Sequence, residues 1–82
     1  MTIKSILEPA IKEGVFTIVF AREVVQADWR TMIGSLNGEL KREAESLFYF
    51  IEGYVEEVDE GFVDQPNDPE LYERTKKLMT KL

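Results

Sequence analysis

The feature that most constrains this chain is an apolar stripe running through the segment from Glu39 to Glu60. Leu40, Ala44, Leu47, Phe48, Ile51, Tyr54, Val55 and Val58 recur at the 3.6-residue period of one helix face. Lys41, Arg42, Glu45, Tyr49, Glu52, Glu56 and Asp59 fall on the opposite face. A shorter reading competes with it. Leu47 to Ile51, then Glu52-Gly53, then Tyr54-Val55 resembles a β-hairpin. The helical period persists about twenty residues and the two-residue period about five, so the pattern predicts a long amphipathic helix. Gly53 costs that helix about 1 kcal/mol relative to alanine.

A helix of that length must bury its stripe against something, and the chain has only 82 residues with which to do so. One domain over residues 1–82 is expected. A chain of this size buries only about 60–65% of its unfolded surface. There are no cysteines and no histidines. Disulfides and the common zinc sites are therefore ruled out as reinforcement. A core drawing on nine aromatics, or a second copy in a homodimer, is left to supply the stability.

Two further helices are predicted from local signals. Ile3, Ile6, Leu7, Ala10 and Ile11 form an amphipathic stripe that ends at Gly14, with Pro9 inside it as a kink or a true first turn. After a loop over residues 61–67, Asp68 is placed to cap a helix, with Pro69 in its first turn and Glu70 at its positive end. Leu71, Tyr72, Thr75, Leu78, Met79 and Leu82 line one side of that helix.

Between the first helix and the long one, the composition reads as strand. Val15 to Ala21 is β-branched or aromatic at nearly every position. Arg30 to Asn37 alternates Thr31, Ile33 and Ser35 with Met32, Gly34 and Leu36 and is its expected partner. The fold class predicted is α+β: N-terminal helix, β-hairpin, long amphipathic helix and C-terminal helix. Gly14-Val15-Phe16-Thr17-Ile18-Val19-Phe20, and then Arg30-Thr31-Met32-Ile33-Gly34-Ser35-Leu36-Asn37, carry a resemblance. Residues 14–37 resemble the opening hairpin of small SH3-like (Sm-like, WYL-like) β-barrel accessory proteins of tailed phages. That resemblance implies a small phage-encoded accessory protein, acting in the host cytoplasm.

The net charge of −6 is unevenly distributed. No lysine or arginine lies between Arg42 and Arg74, and that interval holds eleven acids. The remainder of the chain holds ten bases and five acids. Direct nucleic-acid binding by the acidic part is disfavoured, because phosphate contacts require cations. No apolar run approaches a membrane span of about 20 residues, and the N-terminus lacks a signal-peptide pattern. A cytoplasmic protein is expected.

Ser5, Ser35 and Ser46 have no histidine to activate them. Acid pairs such as Glu52 and Glu56 read first as a solvated helix face. No glycine-rich phosphate loop and no calcium-loop spacing is present. No catalytic residue, cofactor or metal site is predicted. The expected function is protein binding, as a modulator or inhibitor of another protein. The alternatives are a mimic of DNA that occupies a DNA-binding site, and a small structural or assembly component. The candidate partner-binding residues are Phe50, Glu52, Glu56, Glu57, Asp59, Glu60 and Asp64. Phe50 falls off the core stripe, and the acids supply negative potential beside it. Phe50 packed beneath the first helix or the strands is the competing reading.

Overall fold

A computed structural model of the chain describes residues 2–82. Among the described residues five helices follow one another: α1 (Ile3–Glu13), α2 (Ile18–Gln26), α3 (Trp29–Ile33), α4 (Gly38–Asp59) and α5 (Pro69–Met79). At 1.5 Å per residue, the 22 residues of α4 span about 33 Å, close to the 35 Å long axis of the molecule. The long helix therefore sets the shape. Helices α2, α3 and α5 pack on it, and α1 lies against α5, α2 and α3.

The apolar stripe of α4 is buried as its spacing predicts. Ala44, Leu47, Phe48, Ile51 and Tyr54 are inaccessible, and Leu40, Val55 and Val58 pack against the core. Phe48 meets Trp29 of α3 in a stacked pair, ring centroids 4.9 Å apart. The helix runs through Gly53 without a break, so the hairpin reading of Leu47 to Val55 fails.

Helix α1 starts on a reciprocal cap in which Thr2 accepts from the Ser5 amide and Ser5 accepts from the Thr2 amide. It ends at Gly14, which takes a left-handed φ of 74°. Pro9 sits on the solvent side of this helix, which continues past it. Asp68 caps α5 by accepting from the amides of Glu70 and Leu71, with Pro69 in the first turn.

The β-hairpin is overturned, and with it the α+β class. Among the described residues there is no strand, only an isolated bridge between Thr17 and Asn67. The segment read as the first strand turns into helix at Thr17, whose hydroxyl accepts from the Phe20 amide. From there Ala21 and Val24 face the core, with Ile18 and Val25 beside them, while Val19 is 66% exposed. A strand buried on both faces would have enclosed Val19. The segment read as the second strand holds α3 and a turn, with Trp29 and Ile33 buried. The likeness of residues 14–37 to the opening of an SH3-like barrel is contradicted by the same helices. The phage context inferred from it loses its support. Packing of one apolar stripe on α4 outweighed the strand propensity of Val, Ile and Phe, which is a weak preference by comparison.

Candidate functional site

Helix α4 ends in four acids, Glu56, Glu57, Asp59 and Glu60, with no base in its last turn. The exposed carbonyls there already carry partial negative charge, so acids are disfavoured at that end. The fold offsets part of this. Arg22 of α2 forms an ion pair with Asp59, and Arg30 of α3 reaches Glu52 at 3.4 Å. The Arg22 guanidinium, by hydrogen bonding to Asp59, holds its carboxyl below the usual carboxylate range. The pKa of Arg22 is raised in turn by the same hydrogen bond. Among the described residues, Glu56, Glu57, Glu60 and Asp64 have no ion-pair partner.

The chain leaves α4 through Gly61, whose φ of 84° is left-handed. The amides of Phe62 and Val63 both turn back to the Glu57 carbonyl, at 2.9 and 3.3 Å. The following loop is tied down at three points. The Tyr54 hydroxyl donates to the Gln65 carbonyl at 2.9 Å. The Ile18 amide donates to Pro66, and the Asp68 amide donates to Phe16, both at 2.9 Å. Burial, and then the nearby Asp68 charge, push the Tyr54 hydroxyl pKa up, so it stays a donor.

The result is a well-anchored loop start that leaves Phe62 79% exposed. Val63, its neighbour, packs against the core. Phe62 lies next to the unpaired acids in the chain, and Val19 is presented from the first turn of α2, which is bonded to the same loop. An exposed aromatic among uncompensated carboxylates offers apolar contact together with negative potential.

The seven residues predicted as one partner-binding set are engaged differently within the chain. Glu56, Glu57, Glu60 and Asp64 gather at the end of α4. Glu52 and Asp59 are engaged by Arg30 and Arg22. Phe50 lies ten residues before Glu60, a rise of about 15 Å along the helix. It does not pack beneath α1. It is half exposed, and the Arg74 guanidinium covers its ring at 4.1 Å. Arg74 is itself held by Glu70 at 3.0 Å.

Phe50 belongs instead to a depression of about 270 Å³ between α4 and the start of α5, shared with Tyr49, Gly53, Leu71 and Arg74. Tyr49 is 57% exposed and touches Trp29 edge-on. Sequence reasoning missed Phe62, because a lone aromatic after a helix end has no periodic neighbours to mark its side.

Among the described residues, no group of three or more potential metal ligands is assembled, and no helix is long and apolar enough to cross a membrane. Comparison with models of known families, with curated proteins and with solved structures gave no match.

Proposed function

We infer that this chain acts by binding another protein, and that the partner presents a basic surface to the acidic end of α4. The observation that supports this reading is Phe62. Its ring is 79% exposed while its backbone is fastened by a hydrogen bond to the Glu57 carbonyl rather than trailing, so the ring is held out for contact. Aromatic side chains bury large areas with few rotors and recur as interface anchors. Glu56, Glu57, Glu60 and Asp64, close to the anchor in the chain, supply steering charge and disfavour acidic partners. A modulator or inhibitor needs no more chemistry than this, because occupancy alone blocks or biases the partner.

The DNA-mimic reading calls on the same carboxylates. It has fewer available than the sequence suggests, since Glu43, Glu52, Asp59 and Glu70 are held in ion pairs.

The test is affinity capture from the native source with three baits: the natural chain, Phe62→Ala, and Glu57→Lys combined with Asp64→Lys. A protein recovered with the natural chain and lost with both variants is the expected outcome, with recovery falling as salt rises. Identical recovery on all three baits overturns the assignment. If captured protein is released by added duplex DNA, the occupied surface is a nucleic-acid groove and mimicry is the mode.

A further inference from the structure

The chain has two asparagines, Asn37 at the junction between α3 and α4 and Asn67 in the loop before α5. Asn37 is followed by glycine, and both residues are exposed. It occupies the N-cap position of α4, where an asparagine side chain ordinarily accepts a backbone hydrogen bond. Here it accepts none. Its carboxamide is therefore free to turn toward its own backbone.

The neighbouring nitrogen is equally uncommitted. Gly38 opens α4, so its N–H has no acceptor within the helix. Among the described residues it has no backbone acceptor elsewhere. Gly38 takes a left-handed φ of 58°, and a side chain built on it meets nothing within 4 Å. Neither a side chain of its own nor a packed neighbour shields that nitrogen.

Asn67 is an internal control. It is half-buried and forms an antiparallel bridge with Thr17. The nitrogen that follows it belongs to Asp68 and donates to the Phe16 carbonyl at 2.9 Å.

We propose that Asn37 is a site of spontaneous covalent modification, converting to aspartate and isoaspartate through a cyclic imide, and that Asn67 is protected by its hydrogen bonds. The Gly38 nitrogen loses its proton to solvent base and attacks Cγ of Asn37. An N–Cγ bond forms, the Cγ–Nδ2 bond breaks, and the side-chain nitrogen takes up a proton from solvent and leaves as ammonia. The ring so closed joins Cα, Cβ, Cγ and the carbonyl carbon of Asn37 to the Gly38 nitrogen. Water then adds to one of the two ring carbonyls. Breaking the N–Cγ bond leaves aspartate on an unchanged backbone. Breaking the bond between that nitrogen and the Asn37 carbonyl carbon leaves isoaspartate, whose backbone is longer by one carbon. The sum consumes one water and releases one ammonia, with no change of oxidation state.

Ring closure requires Asn37 to rotate away from its extended ψ of 149°. That motion disturbs only the first turn of α4, and helix ends fray at low cost. The same motion at Asn67 has to break the bond from Asp68 to Phe16 and the bridge to Thr17. The aspartate product suits its position. A carboxylate at the N-cap accepts from the free amides of the first turn and meets the positive end of the helix. Isoaspartate displaces the cap by one carbon and weakens the start of the helix on which the core is built. In either product the added carboxylate takes the net charge from −6 to −7.

This chemistry is independent of partner binding, and the two readings fail separately. The experiment is storage of the full natural chain in buffers of rising pH. It is read by peptide mass spectrometry and by methyl transfer from an isoaspartate-specific methyltransferase. Asn37 is expected to convert about tenfold faster than Asn67 or more, with a rate that rises with pH. Asn37→Gln, which would have to close a larger ring, is expected to abolish methyl acceptance and the conversion at that position. In urea, Asn67 is expected to accelerate more than Asn37, because only Asn67 is held by tertiary hydrogen bonds. Asn37→Asp, checked by circular dichroism, is expected to raise the urea midpoint. Conversion of Asn37 no faster than that of Asn67 in the folded chain overturns the proposal. So does a folded Asn37 that reacts far more slowly than it does in urea. A lower midpoint for Asn37→Asp overturns the capping by the product.

Discussion

At the scale of single residues, the core contains one atom out of keeping with its surroundings. Thr75 is fully buried on the inner face of α5, and its hydroxyl has no hydrogen-bond partner among the described residues. Burying a hydroxyl without a partner costs about 1–3 kcal/mol. Valine has the same shape and no such cost. Thr75→Val is therefore expected to raise the stability by about 1 kcal/mol, read as a higher urea midpoint with an unchanged slope. A lower midpoint would show that the hydroxyl has a partner in solution. Tyr54 is the contrasting case. It is as well buried as the apolar core, yet its hydroxyl is spent on the Gln65 carbonyl and fixes the loop behind Phe62. One buried polar group is an unmet cost, and the other positions the candidate site.

At the scale of elements, α2 shows how a local signal is overruled. Val15 to Ala21 has the composition of a strand. With its side chain on the Phe20 amide, Thr17 turns the chain into a helix that buries Ala21 and Val24 against α4. Branched residues lose only a few tenths of a kcal/mol each in a helix, which burial of two or three side chains exceeds. Because propensity does not favour α2, its cap matters. Thr17→Ala is expected to destabilise the protein by about 1 kcal/mol, measured by chemical denaturation. Thr17→Ser is expected to keep most of that stability. Equal stability of the alanine variant would show that tertiary packing alone directs the helix. The first, fourth and fifth helices were legible because each carries a 3.6-residue stripe, long in α4 and marked by a stop or start signal in the others: Gly14 for α1, Asp68-Pro69 for α5. The hairpin misreading arose where no stripe longer than two turns was available to contradict propensity.

At the scale of the whole molecule, the acids and bases that are segregated along the chain are brought together in space. Among the described residues, four ion pairs join Glu43 to Lys81, Glu52 to Arg30, Asp59 to Arg22 and Glu70 to Arg74. Three of them link residues more than twenty positions apart, tying α2, α3 and the C-terminus to α4. Exposed pairs contribute little individually, so their value is in orientation more than in energy. The Arg22–Asp59 pair still has a definite pH signature. Its folded carboxyl has a lowered pKa, so the unfolded chain takes up that proton first as pH falls. Stability from the pair is present above the ordinary carboxylate range and is lost as pH falls through the depressed value. Thermal melts of the natural chain and Asp59→Asn are expected to differ at neutral pH and to converge in acid. A gap that persists at low pH would show that the substitution acts through packing and not charge.

The sequence by itself determined three of the helices, the face that α4 buries, and the acidic bias of the segment before Arg74. Those are consequences of side-chain period and local capping, which act over a few neighbouring residues. Only the tertiary structure decided that α2 and α3 are helical, because that choice depends on burial against α4, a partner distant in sequence. Only the tertiary structure sorted the seven candidate residues, by bringing Arg22 and Arg30 onto two acids, Arg74 onto Phe50, and fastening Phe62 beside the rest. Charge and exposure at a site are set by what long-range contacts leave uncovered, and a one-dimensional pattern does not contain those contacts.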